Sequence, residues 1–331
     1  MVVLAHAPQL LRPAIAIART TSVTALAPLA PAVTALAPLA PVCATLGDAA
    51  VTAAVSGGSA VAAQLLLVAA FRRSNNRVLR ELAGFAAHHT IELTFMVLVT
   101  LVGGFGFLVP GAVGPTAAAR MLAPNGTVRW LAAILLGKLL IWDFPCAFFI
   151  KKVRSAVILG HHAGMAATCA LALHVPFCTG LFYLGVCELS TIPLQIWEGF
   201  EQAHKKAVDT SAPERQVTRL AAVRDAGYTA FAPLFVVVRL LAFSWITFGC
   251  LLPDTLAVLP TAAAAGKRTA LRMLCGFGVA FNALMLYWFG GAVVGMLNQP
   301  VTEEFTGVVV PTGDFAIPSE AEEAPAVSVE P

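Results

Sequence analysis

The chain has 331 residues, 58% of them hydrophobic and only 12% charged, and its mean hydropathy is +0.81. Soluble domains carry about 25% charged residues, so this composition excludes an ordinary soluble enzyme, and no nucleic-acid partner is expected. The formal net charge of +3 identifies no partner; where the charges fall is more informative.

Residues 1–50 form an Ala/Pro-rich arm in which "VTALAPLAP" occurs at 23–31 and again at 33–41. Proline every few residues forbids a stable helix there, so the arm reads as low complexity rather than as a span. With Arg12, Arg19 and no acid before Asp48, it reads equally as a targeting segment and as a tolerated extension.

A bilayer span needs about 20 mostly apolar residues. Seven segments qualify, at 51–71, 91–113, 130–150, 155–174, 176–197, 229–252 and 270–296. Backbone in lipid must bond to itself, and barrel-type alternation is absent, so the segments are helices. The expected fold is an all-α membrane protein, a bundle of about 6–7 transmembrane helices around a central cavity. Residues 51–79 would hold the first span and a basic loop, and 80–296 the main membrane domain. Residues 297–331 carry seven acids and no Lys or Arg, as a solvated, disordered tail does.

Of the seven cysteines, six fall inside spans and none forms a CxxC pair. They read as small buried hydrophobes, with no metal and no cofactor expected.

Alternate loops are unequal in positive charge. One side holds Arg72, Arg73, Arg77, Arg80, Lys151, Lys152, Arg154, Lys205, Lys206, Arg215, Arg219 and Arg224. The other holds Arg12, Arg19, Arg120, Arg129, Lys267, Arg268 and Arg272. The positive-inside rule makes the richer side cytoplasmic, with a luminal N-terminus and a cytoplasmic C-terminus. The N-x-[ST] sequon at Asn125 falls in a luminal loop of that arrangement, as a glycosylation site must. Gly291 and Gly295 form a GxxxG pattern that serves bundle packing or a homodimer, and Gly103, Gly104 and Gly106 crowd span 2.

Ionisable groups at membrane depth are costly, so each is a functional candidate. Span 3 has Lys138 and Asp143, and span 4 has His161, His162 and, at its end, His174. Span 5 has Glu188, and in one continuous helix Tyr183, Cys187, Ser190, Thr191 and Gln195 would form a polar stripe facing a lipid cavity. Span 6 has Arg239, a counter-charge for Glu188 or Asp143, and span 7 has Asn282. Lys138 lies about a turn and a half from Asp143, which puts the two on different faces, each needing another partner. Arg239 paired with an acid serves equally as a lock between helices.

Two adjacent histidines are hard to justify by packing. A histidine poised near neutrality is the usual general base, here for a hydroxyl or amine attacking an acyl group. His161 and His162 with His88 and His89 form an alternative haem or metal set, though several HxxHH boxes are absent.

In sequence order these residues resemble the TLC-domain family, the superfamily of ceramide synthases and translocating-chain-associated membrane proteins. "WDFPCAFFIKK" matches its Asp-bearing helix ending in a basic pair, and "ILGHHAGM" its paired histidines. "CELSTIPLQIW" matches its Glu-Leu-Ser-Thr-Pro segment, and "APLFVVVRLLAF" its Phe-x-x-x-Arg helix. The resemblance runs from about residue 80 to 296. It implies a helical bundle around a cavity holding both histidines, in an endoplasmic reticulum protein. Ceramide synthases in that family join an acyl-CoA to a sphingoid base; other members are tied to phospholipid composition and transport, some without established catalysis. The ceramide-synthase pattern His-Asp-x-x-Asp-x-x-Leu-Glu is replaced here by "VCELSTIPLQIW", and no homeobox-like insertion is present. The resemblance therefore points to the ELST-bearing branch. Its expected site is His161, His162, Asp143 and Glu188 for chemistry, with Tyr183, Ser190, Thr191, Gln195 and Arg239 lining the lipid cavity. The expected partners are lipids and acyl-CoA.

Overall fold

The computed structural model describes residues 45–108, 114–150, 156–262 and 265–297, with backbone alone at 157 and from 292 onward. The arm before residue 45, the Lys151, Lys152 and Arg154 loop, and the acidic tail from 298 lie outside the described residues.

Regular structure among the described residues is helical throughout. Helix α1 (Leu46–Arg72) starts ahead of its apolar run because Thr45 caps it: the Thr45 hydroxyl accepts from the Asp48 amide, and the Asp48 carboxylate accepts from the Thr45 amide. That exchange satisfies two donors a helix start otherwise leaves unbonded. Asn76 caps the short α2 (Arg77–Glu81), and α3 (Ala83–Leu108) follows. After α4 (Ala117–Met121), α5 (Gly126–Gly137) continues through a π-helical turn, Lys138–Asp143, into α6 (Phe144–Phe149). Helix α7 (Ala156–His174) ends just before Pro176, since the residue ahead of a proline avoids helical angles.

The expected single span at 176–197 is broken. It consists of α8 (Gly180–Tyr183), a 3-10 turn at Val186–Ser190, and the start of α9 (Thr191–Asp209). Pro193 explains the break: inside a continuous helix its ring would strike the carbonyl four residues back, but in a first turn no amide is needed there. Helix α9 turns at Ser211, which takes a left-handed φ of 51°, and pairs with α10 (Glu214–Leu234) as a long hairpin. The chain runs on through a π turn (Phe235–Ala242), α11 (Phe243–Ile246), a second π turn (Thr247–Leu251) and α12 (Leu252–Val258). Helix α13 (Ala265–Leu297) closes the described chain.

Five segments among the described residues are long and apolar enough to cross a membrane: Leu46–Arg72, Ala83–Leu108, Ala117–Phe149, Glu214–Val258 and Ala265–Gly291. The chain is thus a multi-pass helical membrane protein. Residues up to Asn282 pack as one unit, and those from Ala283 form a second.

Within the first unit two glycine contacts set the closest approaches. A side chain on Gly137 would run into Ala53 O of α1, and one on Gly57 would meet Gly137 O. Gly103 of α3 and Gly185, just ahead of the 3-10 turn, touch in the same way, while Gly104 faces open space. Small residues permit such contacts between helices in lipid.

Polar contacts gather at two ends of this unit. At one, Arg120 grips Asp254 with two hydrogen bonds of 2.5 and 2.6 Å, and its carbonyl accepts from the Cys178 amide. At the other, Lys206 pairs with Glu81 at 2.7 Å, and Gln216 donates to Asn76.

Candidate functional site at the paired histidines

The π turn at Lys138–Asp143 corrects the expectation that those two residues diverge. Hydrogen bonds in a π turn run between residues five apart rather than four, which is the spacing of this pair. Lys138 Nζ lies 2.6 Å from Asp143 Oδ2 and also 2.6 Å from Glu92 Oε2 of α3. All three side chains are buried. Trp142, wholly buried, carries Lys138 over its ring at 5.5 Å and stacks on the His88 imidazole at 4.6 Å. Glu92 was not among the expected site residues. Its signal was the spacing of His88, Glu92 and Met96, four apart on one face of a helix, and all three are buried.

A second buried charge pair joins the other irregular turns. Arg239, in the Phe235–Ala242 π turn, donates to Glu188 Oε2 at 3.1 Å, to Thr191 Oγ1 at 2.8 Å and to Ser190 Oγ at 3.1 Å. Thr191 in turn donates to Glu188 Oε2 at 2.7 Å. Of the two acids expected as partners for Arg239, Glu188 holds it; Asp143 belongs to Lys138.

His161 and His162 lie on α7, half-buried, with ring centroids 5.9 Å apart. His161 meets the edge of Phe281, and His162 that of Phe144. Both charge clusters reach them: Lys138, Glu92 and Glu188 act on His162, and Arg239 and Lys138 act on His161. The pair is therefore within electrostatic reach of one cluster from α3 and the first π turn and of another from the 3-10 turn and the Phe235–Ala242 π turn.

The remaining expected residues divide. Ser190 and Thr191 belong to the Arg239 cluster. Gln195 instead meets His89 side chain to side chain. Tyr183 stands apart in the apolar core, hydrogen-bonded to Thr247 at 2.9 Å and packed edge-on against Phe243. The polar stripe drawn through Tyr183, Cys187, Ser190, Thr191 and Gln195 does not exist as such, because the segment is not one helix. Asn125 caps α5, its Oδ1 accepting from the Val128 amide at 3.0 Å. Asn282 accepts from Ser244 at 3.0 Å.

Beside the ionic triad, His88 Nδ1, Trp142 Nε1 and Asp143 Oδ1 are buried with no hydrogen-bond partner within the protein, whereas buried polar groups are ordinarily satisfied. No group of three or more His, Cys, Asp or Glu among the described residues is arranged to hold a metal ion.

A family model described as the TLC domain matches residues 122–293. No curated protein and no solved structure matches the chain. The matched residues include both histidines, Asp143, Glu188 and Arg239, and the chain belongs to the TLC-domain family.

Proposed function

We propose that the protein handles lipid at the His161–His162 pair, in a cavity enclosed by about 6–7 membrane-spanning helices of an internal membrane, the endoplasmic reticulum. The reaction is acyl transfer from acyl-CoA to a sphingoid base or another lipid acceptor. One histidine takes the proton of the attacking hydroxyl or amine, the new acyl bond forms, the thioester C–S bond breaks, and CoA leaves as its thiol. The other histidine orients the first or hydrogen-bonds the developing oxyanion. Asp143 acts on this pair through Lys138, and Glu188 through its charge on His162.

The observation that carries the reading is a pair of half-buried imidazoles, 5.9 Å apart, within electrostatic reach of two buried ionic clusters. Packing alone gives no reason to place four charges beside two histidines at membrane depth. The basic residues of the cytoplasmic side offer charge for CoA phosphates or anionic headgroups.

One observation favours a second reading. Glu188 Oε2 is held by both Arg239 and Thr191, as a lock between helices would be. A non-catalytic lipid sensor that regulates membrane composition or transport needs such a lock and no base.

The test is a lipid profile of ceramide-synthase-deficient cells expressing the wild type or the His161→Ala/His162→Ala variant at equal protein levels. Ceramide or another acylated lipid made only by the wild type is the expected result. Equal phospholipid changes from both forms, with no acylated product, would overturn acyl transfer in favour of the sensor.

A further inference from the structure

Lys138 provides one positive charge against two carboxylates. Glu92 and Asp143 each stand 2.6 Å from its Nζ, and the residues are 8%, 2% and 2% exposed for Glu92, Asp143 and Lys138. With all three ionised the cluster carries one uncompensated negative charge, buried within membrane-spanning helices. Isolated charges in such surroundings are neutralised rather than tolerated, and two carboxylates sharing a site do not both ionise.

Neighbouring groups do not supply the missing positive charge. On α3, His88 and His89 are apposed to Phe and Trp rings rather than to acids. On α9, Glu198 adds a further negative charge within reach of Glu92. On α7, His162 is within reach of both Lys138 and Glu92. Arg239 is held by Glu188. The charged residues of α1, Asp48 and Arg72, stand near its two ends. Meanwhile Asp143 Oδ1 and His88 Nδ1 are buried and unbonded within the protein. Asp143 therefore has an oxygen free to carry a proton while its other oxygen receives Lys138.

We propose that Glu92, Asp143 and Lys138 form a proton-binding site, in which the two carboxyl groups share one exchangeable proton. In the loaded state one carboxyl is an acid, the other pairs with the ammonium, and the cluster is neutral. Release breaks the carboxyl O–H bond, hands the proton to a base and leaves the cluster with a charge of −1. The site does not depend on acyl transfer.

The experiment is infrared spectroscopy of the full-length protein in lipid bilayers at neutral pH, comparing the protonated-carboxyl band of the wild type with that of Glu92→Gln and Asp143→Asn. Either substitution leaves one carboxylate against one ammonium, so each variant is expected to lose one carboxylic acid. Retention of the band in both, or loss in Glu92→Gln alone, would overturn a shared proton. Should either variant fold poorly, carbon-13 NMR of the wild type labelled at Asp and Glu carboxyls decides the matter. Of the two carboxyl carbons coupled through space to the Lys138 ammonium, one is expected at a carboxylic-acid shift. Two carboxylate shifts would refute the site. Because these readouts follow protonation and not product, they remain decisive even if the lipid profile fails.

Discussion

Removing the Arg239 guanidinium would leave Glu188 as an unpaired carboxylate among buried groups. Breaking a buried ion pair from one side costs about 3–5 kcal/mol, whereas replacing both partners by apolar groups is often nearly neutral. Arg239→Met is therefore expected to lower the thermal stability of the purified protein sharply, and Arg239→Met/Glu188→Met to recover most of the loss. Equal stability of wild type and single variant would make the pair incidental. The paired histidines behave oppositely. His161→Ala and His162→Ala remove rings that are only half-buried, so each is expected to abolish product while shifting stability by no more than about 1–2 kcal/mol. At this scale the sequence was informative about residue type and poor about partnership. An ionisable residue in an apolar run announces itself, which exposed Lys138, Asp143, His161, His162, Glu188 and Arg239. Which acid meets which base depends on helix register, and Glu92 stood at the very edge of the expected span 91–113, whereas α3 begins at Ala83 and carries it well inside the helix.

The irregular turns decide that register. Among the described residues three π turns and one 3-10 turn interrupt the helices, and Lys138, Asp143, Glu188 and Arg239 all sit on them. A hydrophobic run shows where a helix passes but carries no mark of a one-residue widening. A mark did exist in the prolines. Pro145 and Pro253 would each press on the carbonyl four residues back, at Ile141 and Gly249, and both carbonyls lie inside π turns. The wider turn gives the proline ring room. Close approach between elements is equally specific. Gly103→Val would drive its side chain into Gly185, whereas Gly104→Val meets nothing within 4 Å. The first substitution is expected to destabilise by about 1–3 kcal/mol and the second to be neutral, as read by thermal melting in detergent. Outside the membrane, Lys206 and then Arg77 hold the Glu81 carboxyl down to about 2 from its ordinary 4.5, tying α2 to α9. A lowered carboxyl contributes stability that is whole above 4.5 and is lost as pH falls through about 2. The tether is thus expected to be indifferent to pH between 5 and 8, on the order of the working range, and sensitive to salt. Hydrogen exchange of the α2 amides in wild type and Glu81→Gln reads this: faster exchange in the variant at neutral pH is the expected outcome.

For the molecule as a whole, the two groups of polar end contacts bear on which side faces which compartment. Arg120, Asp254 and the Cys178 amide meet at one end, and Glu81, Lys206, Asn76 and Gln216 at the other. Of the basic residues read as cytoplasmic, Arg77 and Lys206 belong to the second group through Glu81, and Asn125 follows Arg120 by five residues at the first. If that first end is luminal, the sequon there is open to glycosylation, yet Asn125 also caps α5 through Oδ1. The two roles are compatible, because a glycan attaches at Nδ2 and leaves Oδ1 free to accept. Asn125→Gln would confuse them, since loss of a cap costs about 1 kcal/mol by itself. Asn125→Asp separates them: aspartate caps as well as asparagine but bears no amide to modify. In cells, wild type is expected to show an endoglycosidase-sensitive mobility shift that Asn125→Asp lacks, with the same melting temperature for both after deglycosylation. A wild type without the shift, together with labelling of the Lys205–Lys206 end from the lumen, would invert the orientation and place the histidine pair's basic approach on the wrong side for cytoplasmic acyl-CoA.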